Sequence, residues 1–248
     1  MKVALFVTCL VDLFRPSVGH ATIKLLKQAN CDVVVPSGQT CCGQPAYNNG
    51  DRVNAQRIAR QVIDAFDIYD YVVAPSGSCT GMIKRHYPGL LTDDPQYTAR
   101  AAQLAERCYE LTSFLVDIIG LTIEDVSFNK SVTYHDSCSC QRELNIKTQP
   151  RQLLKSIGGL RLNEMQGTEE CCGFGGTFCV KYDELSATMV DNKVDNIQQS
   201  GADILLAADM GCLMNIAGRL KRRDLPVKVY HIAEVLAGMA KDDGIGGV

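Results

Sequence analysis

Several features that would class this 248-residue chain at once are missing from it. No apolar stretch approaches the roughly 20 residues that a membrane-spanning helix needs. The formal net charge is only −3, with 25 basic and 28 acidic residues, so no charge excess points to nucleic acid. No Cys-x-x-Cys spacing occurs, although that spacing is usual in structural zinc sites. The opening "MKVALFVTCLVDLFRPS" has one lysine, an apolar run broken at Thr8, Cys9 and Asp12, and no small-residue cleavage site. It is expected to form a first buried strand rather than a signal peptide. No nucleophile–base pair and no flavin or nicotinamide motif stand out. "CCGFGGTFC" holds Gly173, Gly175 and Gly176, but it follows no predicted strand and its spacing is wrong for a dinucleotide loop.

Cysteine, by contrast, is plentiful, with 12 residues. The rest of the composition, 46% hydrophobic and 21% charged, is that of a soluble globular protein able to bury one large core or two small ones. The expected compartment is the cytoplasm, which keeps thiols reduced. Cysteines there indicate metal or redox chemistry rather than a disulfide frame.

The cysteines are arranged twice over. "GQTCCGQPAYNNG" and "EECCGFGGTFC" each contain Cys-Cys-Gly. Cys9 precedes Cys41 by 32 residues, and Cys138 precedes Cys171 by 33. Cys79 follows Cys42 by 37, and Cys212 follows Cys172 by 40. "YDYVVAPSGSCTGMI" matches "ADILLAADMGCLMNI", and "YELTSFLVDIIG" resembles "YHIAEVLAGM". The first copy carries a longer insert, about Pro88 to Arg107. The chain therefore reads as two copies of one unit, residues 1–125 and 126–248, joined near "GLTIEDVSFNKS".

Short apolar runs (KVALFVT, DVVVP, YVVAP, SVTYHD, DILLAAD, VKVYH) alternate with helical patterns such as GDRVNAQRIARQVIDAF and KYDELSATMVDNKVDNIQQSG. This predicts two pseudo-symmetric α/β repeats with parallel sheets. Ligands in such folds sit at the carboxyl ends of strands. Cys9, Cys79, Cys138 and Cys212 each follow a predicted strand, and the Cys-Cys-Gly pairs fall in loops. The expected ligand sets are thus Cys9, Cys41, Cys42 and Cys79 in one crevice, and Cys138, Cys171, Cys172 and Cys212 in the other.

Thiolates bind zinc, copper(I) or iron–sulfur clusters. Adjacent cysteines chelate one tetrahedral ion awkwardly, whereas a cluster offers neighbouring thiols different irons. Four cysteines suit a four-iron cluster, one per repeat, and zinc is the alternative. The glycine after each pair lets backbone approach the site.

The twin Cys-Cys-Gly pattern resembles the cysteine-rich, or CCG, domain family. That family includes the cysteine-rich component of heterodisulfide reductase and iron–sulfur subunits of glycolate and glycerol-3-phosphate oxidation. "CLVDLFRPSVG", "GQTCCGQPAYNNG", "VTYHDSC", "CCGFGGTF" and "ADMGCLMNI" are most similar to the iron–sulfur subunits that serve lactate oxidation. The resemblance spans nearly the whole chain. It implies 4Fe-4S centres in an electron-transfer subunit of a cytosolic complex oxidising L-lactate to pyruvate. The implied partners are two sister subunits, one of them ferredoxin-like. The heterodisulfide reductase component ends each motif with Cys-x-x-Cys, where this chain has Met82 and Asn215, so direct disulfide cleavage is not favoured. A thiol or heterodisulfide reductase subunit and a zinc-holding scaffold remain as alternatives.

Cys31, opening a strand, and Cys108, in a helical run, have no repeat partner and are expected in the core. Cys140 and Cys179 are read as spare thiols near the second set rather than ligands. His135 and Asp136 stand at a strand end, either as structure or to provide a hydrogen bond to a cluster sulfur. Asp12 reads as a helix-start residue. The basic runs Lys84–His86 and Lys221–Arg223 are expected on solvated helix faces.

Overall fold

The computed structural model describes residues 1–241 and 243–247. The first half runs β1 (Lys2–Leu5), α1 (Cys9–Phe14), α2 (Pro16–Gln28), β2 (Asp32–Val34), α3 (Gln44–Asn48), α4 (Arg52–Phe66), β3 (Tyr71–Ala74) and α5 (Gly77–Gly81). A π-helical stretch (Met82–His86) carries α5 into α6 (Tyr87–Leu90), followed by α7 (Pro95–Arg107), β4 (Cys108–Glu110) and α8 (Leu111–Ser113). The second half runs β5 (Ser131–Tyr134), a π-helical turn (Ser139–Glu143), α9 (Thr148–Lys155), β6 (Arg161–Leu162), α10 (Phe178–Lys181), α11 (Asp183–Gln199), β7 (Ile204–Ala207), α12 (Met210–Arg222), β8 (Lys228–His231) and α13 (Ile232–Leu236).

Each half forms a four-stranded sheet of the same order, β2-β1-β3-β4 and β6-β5-β7-β8, and every strand pair is parallel. In both sheets the order reverses direction between the first strand and its third-strand neighbour, β1/β3 and β5/β7. That switch point leaves an open crevice beyond the strand ends.

Successive strand residues point to opposite faces. On one face of the first sheet, Ala4, Phe6, Val72 and Ala74 pack with Ile63 and Phe66 of α4. On the other face, Val3 and Val73 join α2, through Val18, Leu25 and Leu26, to a core continuous with the second half. That core includes Leu205, Leu213 and Val235. A partly buried ion pair crosses the same seam. Arg15 Nε donates to Glu234 Oε1 at 2.9 Å, and Ser17 Oγ donates to the same oxygen at 2.7 Å.

Two strands escape the sequence pattern. Cys108 is not helical: it opens β4, pairing with Val72 at the end of the first sheet. The run from α7 continues into β4 without a turn signal, and the partner strand decides the conformation. β6 has only two residues, too few to show any alternation. The basic run at Lys84–His86 also departs from a solvated face. Lys84 Nζ donates to the carbonyls of Ala105 (2.8 Å) and Cys108 (3.3 Å), and Arg85 Nε donates to Glu143 O (2.7 Å) in the other half.

Candidate functional site

Each sheet delivers its cysteines to the switch point by the same route. The chain leaves β1 at Leu5 and turns at Thr8 into α1, whose first residue is Cys9. Thr8 caps that helix, its Oγ1 accepting from Val11 N at 3.4 Å. It does so at φ 71°, a conformation costly for a β-branched residue, and such strain is held where surrounding structure demands it. In the second half Ser137 occupies the matching place before Cys138 and accepts from Cys140 N at 3.3 Å. Cys79 lies in the first turn of α5 and Cys212 in the first turn of α12. Helix starts present partial positive charge, which favours thiolate. The loops after β2 and β6 bring in the Cys-Cys-Gly pairs.

The thiols meet in the same order in both halves. In the first, Cys9 Sγ stands 3.9 Å from Cys41 Sγ, Cys41 interacts with Cys42, and Cys42 with Cys79. In the second, Cys138 interacts with Cys171, Cys171 with Cys172, and Cys172 with Cys212. Thiol donors from Cys42 and Cys9 hold the Cys41 thiol far below its ordinary range, as those from Cys138 and Cys172 do for Cys171. Cys42 and Cys172 are pushed up, chiefly by the hydrogen bond to the neighbouring anion.

The glycine of each motif has a definite task. Gly43 N and Gly173 N each donate to a cysteine sulfur, Cys41 and Cys171, at 3.4 Å. Their φ angles of 83° and 81° aim the amide back at the thiol, a geometry that favours glycine. Amide donors to sulfur stabilise thiolate charge at a metal site. Four thiols with a backbone donor suit a thiolate-bound metal centre in each half.

The two thiol sets line neighbouring cavities with a common wall. A cavity of about 190 Å³ adjoins the first set and one of about 230 Å³ the second. Gln44, Ser78, Phe174, Gly176 and Asp209 line both. The Phe174 ring lies against the backbone of Gly211, where an added Cβ would come within 2.3 Å of it. Asp209 is buried and well satisfied, accepting from Ser78 N (2.9 Å), Ser78 Oγ (2.7 Å), Ser76 Oγ (3.1 Å) and Ser137 Oγ (3.2 Å). Its carboxylate ties the two halves together between the thiol sets.

The other cysteines take lesser places. Cys31 and Cys108 are buried in the core. Cys140 is buried against Gly77, and Cys179 Sγ donates to Gly176 O at 3.4 Å. Met82 is fully buried, and Asn215 Nδ2 donates to Cys172 O at 2.8 Å, so neither residue adds a thiol where a fifth cysteine would stand. Asp12 lies in the first turn of α1. Asp136 forms a two-pronged pair with Arg151 at 2.8 and 2.9 Å.

Sequence reasoning left the role of His135 open. It is fully buried, and both ring nitrogens lack a hydrogen-bond partner among the described residues. One ring nitrogen and the sulfurs of Cys172 and Cys212 lie within 4.8 Å of one another. Burial, helped by the charge of Lys193, pushes His135 down to about 3, so the ring is neutral. Lys193 is itself buried, with Nζ donating to Gly167 O and Thr168 O in the loop before Cys171.

The model of the "Cysteine-rich domain" (CCG) family matches residues 3–84 and 132–217, the two stretches that carry the thiol sets. The chain belongs to the CCG family. Within that family it is 49% identical over 236 residues to lactate utilization protein A of Bacillus subtilis, covering 95% of this chain and 99% of that protein. It is 50% identical over 238 residues to lactate utilization protein A of Bacillus velezensis, again covering 95% and 99%. A hypothetical protein from Helicobacter pylori has a similar fold, with TM-score 0.67 and 11% identity. The chain spans 97% of its own length in that match and about half (49%) of the other chain. Among the described residues, no helix is long and apolar enough to cross a membrane.

Proposed function

We propose that this chain is the iron–sulfur electron-transfer subunit of a cytosolic complex that oxidises L-lactate to pyruvate. The observation that carries the proposal is the pair of matched four-thiol sets lining neighbouring cavities, in a chain whose relatives are named for lactate utilisation. Cys9, Cys41, Cys42 and Cys79 would hold one centre, and Cys138, Cys171, Cys172 and Cys212 the other. When bound, such centres accept and release single electrons. The protein's part is to supply thiolates, to direct the amides of Gly43 and Gly173 at sulfur, and to keep the two sets side by side across Phe174 and Asp209. His86 and Glu143, paired at 3.6 Å beside the second cavity, could exchange a proton, but the sequence offers no flavin or nicotinamide motif to accept the lactate hydride. Carbon chemistry therefore falls to a sister subunit, with a ferredoxin-like subunit as the expected electron partner.

One distance favours a second reading, a zinc scaffold. A tetrahedral ion with Zn–S bonds of about 2.3 Å sets its sulfurs about 3.8 Å apart, close to the 3.9 Å between Cys9 and Cys41. Cells deleted for this chain test the function. They are expected to lose growth on L-lactate and to regain it with the wild-type chain, but not with Cys42→Ser combined with Cys172→Ser. Rescue by the double variant would sink the electron-transfer role.

A further inference from the structure

Phe6 and His135 occupy the same place in the two halves. Each continues its first strand by donating its backbone N–H at 2.9 Å, to Val73 O or Leu206 O, and each stands three residues before the first cysteine of its set. Phe6 is an ordinary core residue, its ring centroid 5.4 Å from that of Phe66. His135 is equally buried, yet neither ring nitrogen is satisfied among the described residues. A buried polar group without a partner is costly, and the first half shows that phenylalanine fills this position without that cost. One ring nitrogen stands with the sulfurs of Cys172 and Cys212. The ring also faces the Thr168 carbonyl, short of hydrogen-bonding geometry. A ligating imidazole has this disposition, with one nitrogen toward the metal and the other N–H toward a backbone carbonyl.

We infer that His135 is a metal ligand of the second centre, through the ring nitrogen beside Cys172 and Cys212, and that the first centre has thiolate ligands alone. The inference rests on the reading of both thiol sets as metal centres.

The test uses the full-length, metal-free chain titrated with Co²⁺ under nitrogen. Thiolate-to-cobalt charge-transfer bands should report loading of both centres. Pulsed electron paramagnetic resonance should detect imidazole nitrogen coupling, and this should switch to the ¹⁵N pattern when the histidines carry ¹⁵N. His135→Phe, the residue of the first half, should abolish the coupling and weaken one of the two sites by at least about tenfold. His86→Gln, which alters the one histidine lining the second cavity, should leave the coupling intact. Two loaded centres without imidazole coupling, or coupling that survives His135→Phe, would overturn the inference while leaving the metal-centre reading standing. Absence of any thiolate–cobalt band in the wild-type chain would overturn that reading and the inference with it. The isotope comparison made in His86→Gln leaves His135 unaltered, and with both His231 ring nitrogens already hydrogen-bonded and His20 exposed on α2, coupling that persists there assigns His135 even where His135→Phe fails to fold.

Discussion

In the first half, Cys42 and Cys79 rest in an apolar cluster with Phe6, Val62, Phe66 and Met82. In the second, His135 lies within 4.8 Å of Cys172 and Cys212, and the buried Lys193 stands close by. The buried faces of α4 (Ala55, Ala59, Val62, Ile63, Phe66) and α11 (Ser186, Val190, Lys193, Val194, Ile197) follow the same spacing, with Lys193 in the place of Val62. What the halves share is what a thiolate site demands of the backbone: strand ends at a switch point, a helix start, and a left-handed glycine whose amide meets sulfur. What differs is the layer behind the thiols, where charge and polarity set the two thiol sets in different surroundings on one scaffold.

The largest expected effect comes from removing a ligand. Cys42→Ser and Cys172→Ser should each empty one centre, halving metal per chain, and the pair should empty both, because serine holds a soft metal less well than thiolate does. Cys140→Ser and Cys179→Ser should leave metal content unchanged. Metal analysis and visible spectra check this, and loss of a centre on Cys140→Ser would break the four-thiol equivalence of the halves.

Next is the seam that holds the halves together. Arg15→Ala removes the cation from the buried Glu234 carboxylate, which keeps the Ser17 hydroxyl and the His231 amide, and should cost about 3 kcal/mol in denaturant unfolding. Separate unfolding transitions for the two halves in this variant would show that the shared core does not couple them.

The glycines come third. Gly43→Ala and Gly173→Ala both force alanine into a left-handed conformation, worth about 1–2 kcal/mol. At Gly173 the new Cβ would also come within 2.7 Å of Ser186 O, whereas at Gly43 it meets the Ile58 side chain at 3.2 Å. Gly173→Ala should therefore be the more destabilising, as measured by the denaturant midpoint. Equal losses would mean that the loop before α11 yields as easily as the Ile58 side chain.

The last effect is in the helix caps and is spread over several pH units. Glu110 caps α8 and His231 caps α13 at matching places, and their pH signatures should be opposite. Burial raises Glu110 to about 7, so the folded state holds a proton that the unfolded chain releases from about 4.5. Its share of stability is present at low pH and is lost as pH rises toward 7, by at most about 1.4 kcal/mol per pH unit. Burial lowers His231 to about 4, so its share is present above 6.5 and is lost as pH falls toward 4. Stability profiles of wild type against Glu110→Gln and His231→Gln should differ with those two slopes. A flat difference would break the assignment.

The doubled architecture was legible because cysteine spacing and strand runs repeat along the chain, and both parallel sheets follow from strands alternating with helices. β4 was not, since Cys108 to Glu110 extends a helical run and becomes strand only by pairing with β3. The thiol sets could be named from spacing, but the common wall between their cavities could not. It depends on packing between halves that local periodicity does not encode, through Asp209, Phe174 and the α2–α13 seam. Lys84 looked solvated because its run is basic, yet its long stem reaches buried carbonyls. His135 could be placed at a strand end, while its unsatisfied nitrogens appear only in three dimensions.

Metal analysis of the anaerobically purified chain tests the central claim most directly, with iron, acid-labile sulfide and zinc measured together. Two four-iron clusters predict about eight iron and eight sulfide per chain, with a brown absorbance that bleaches on reduction. A colourless protein with about two zinc ions per chain and no sulfide would contradict the claim and leave a zinc scaffold in its place.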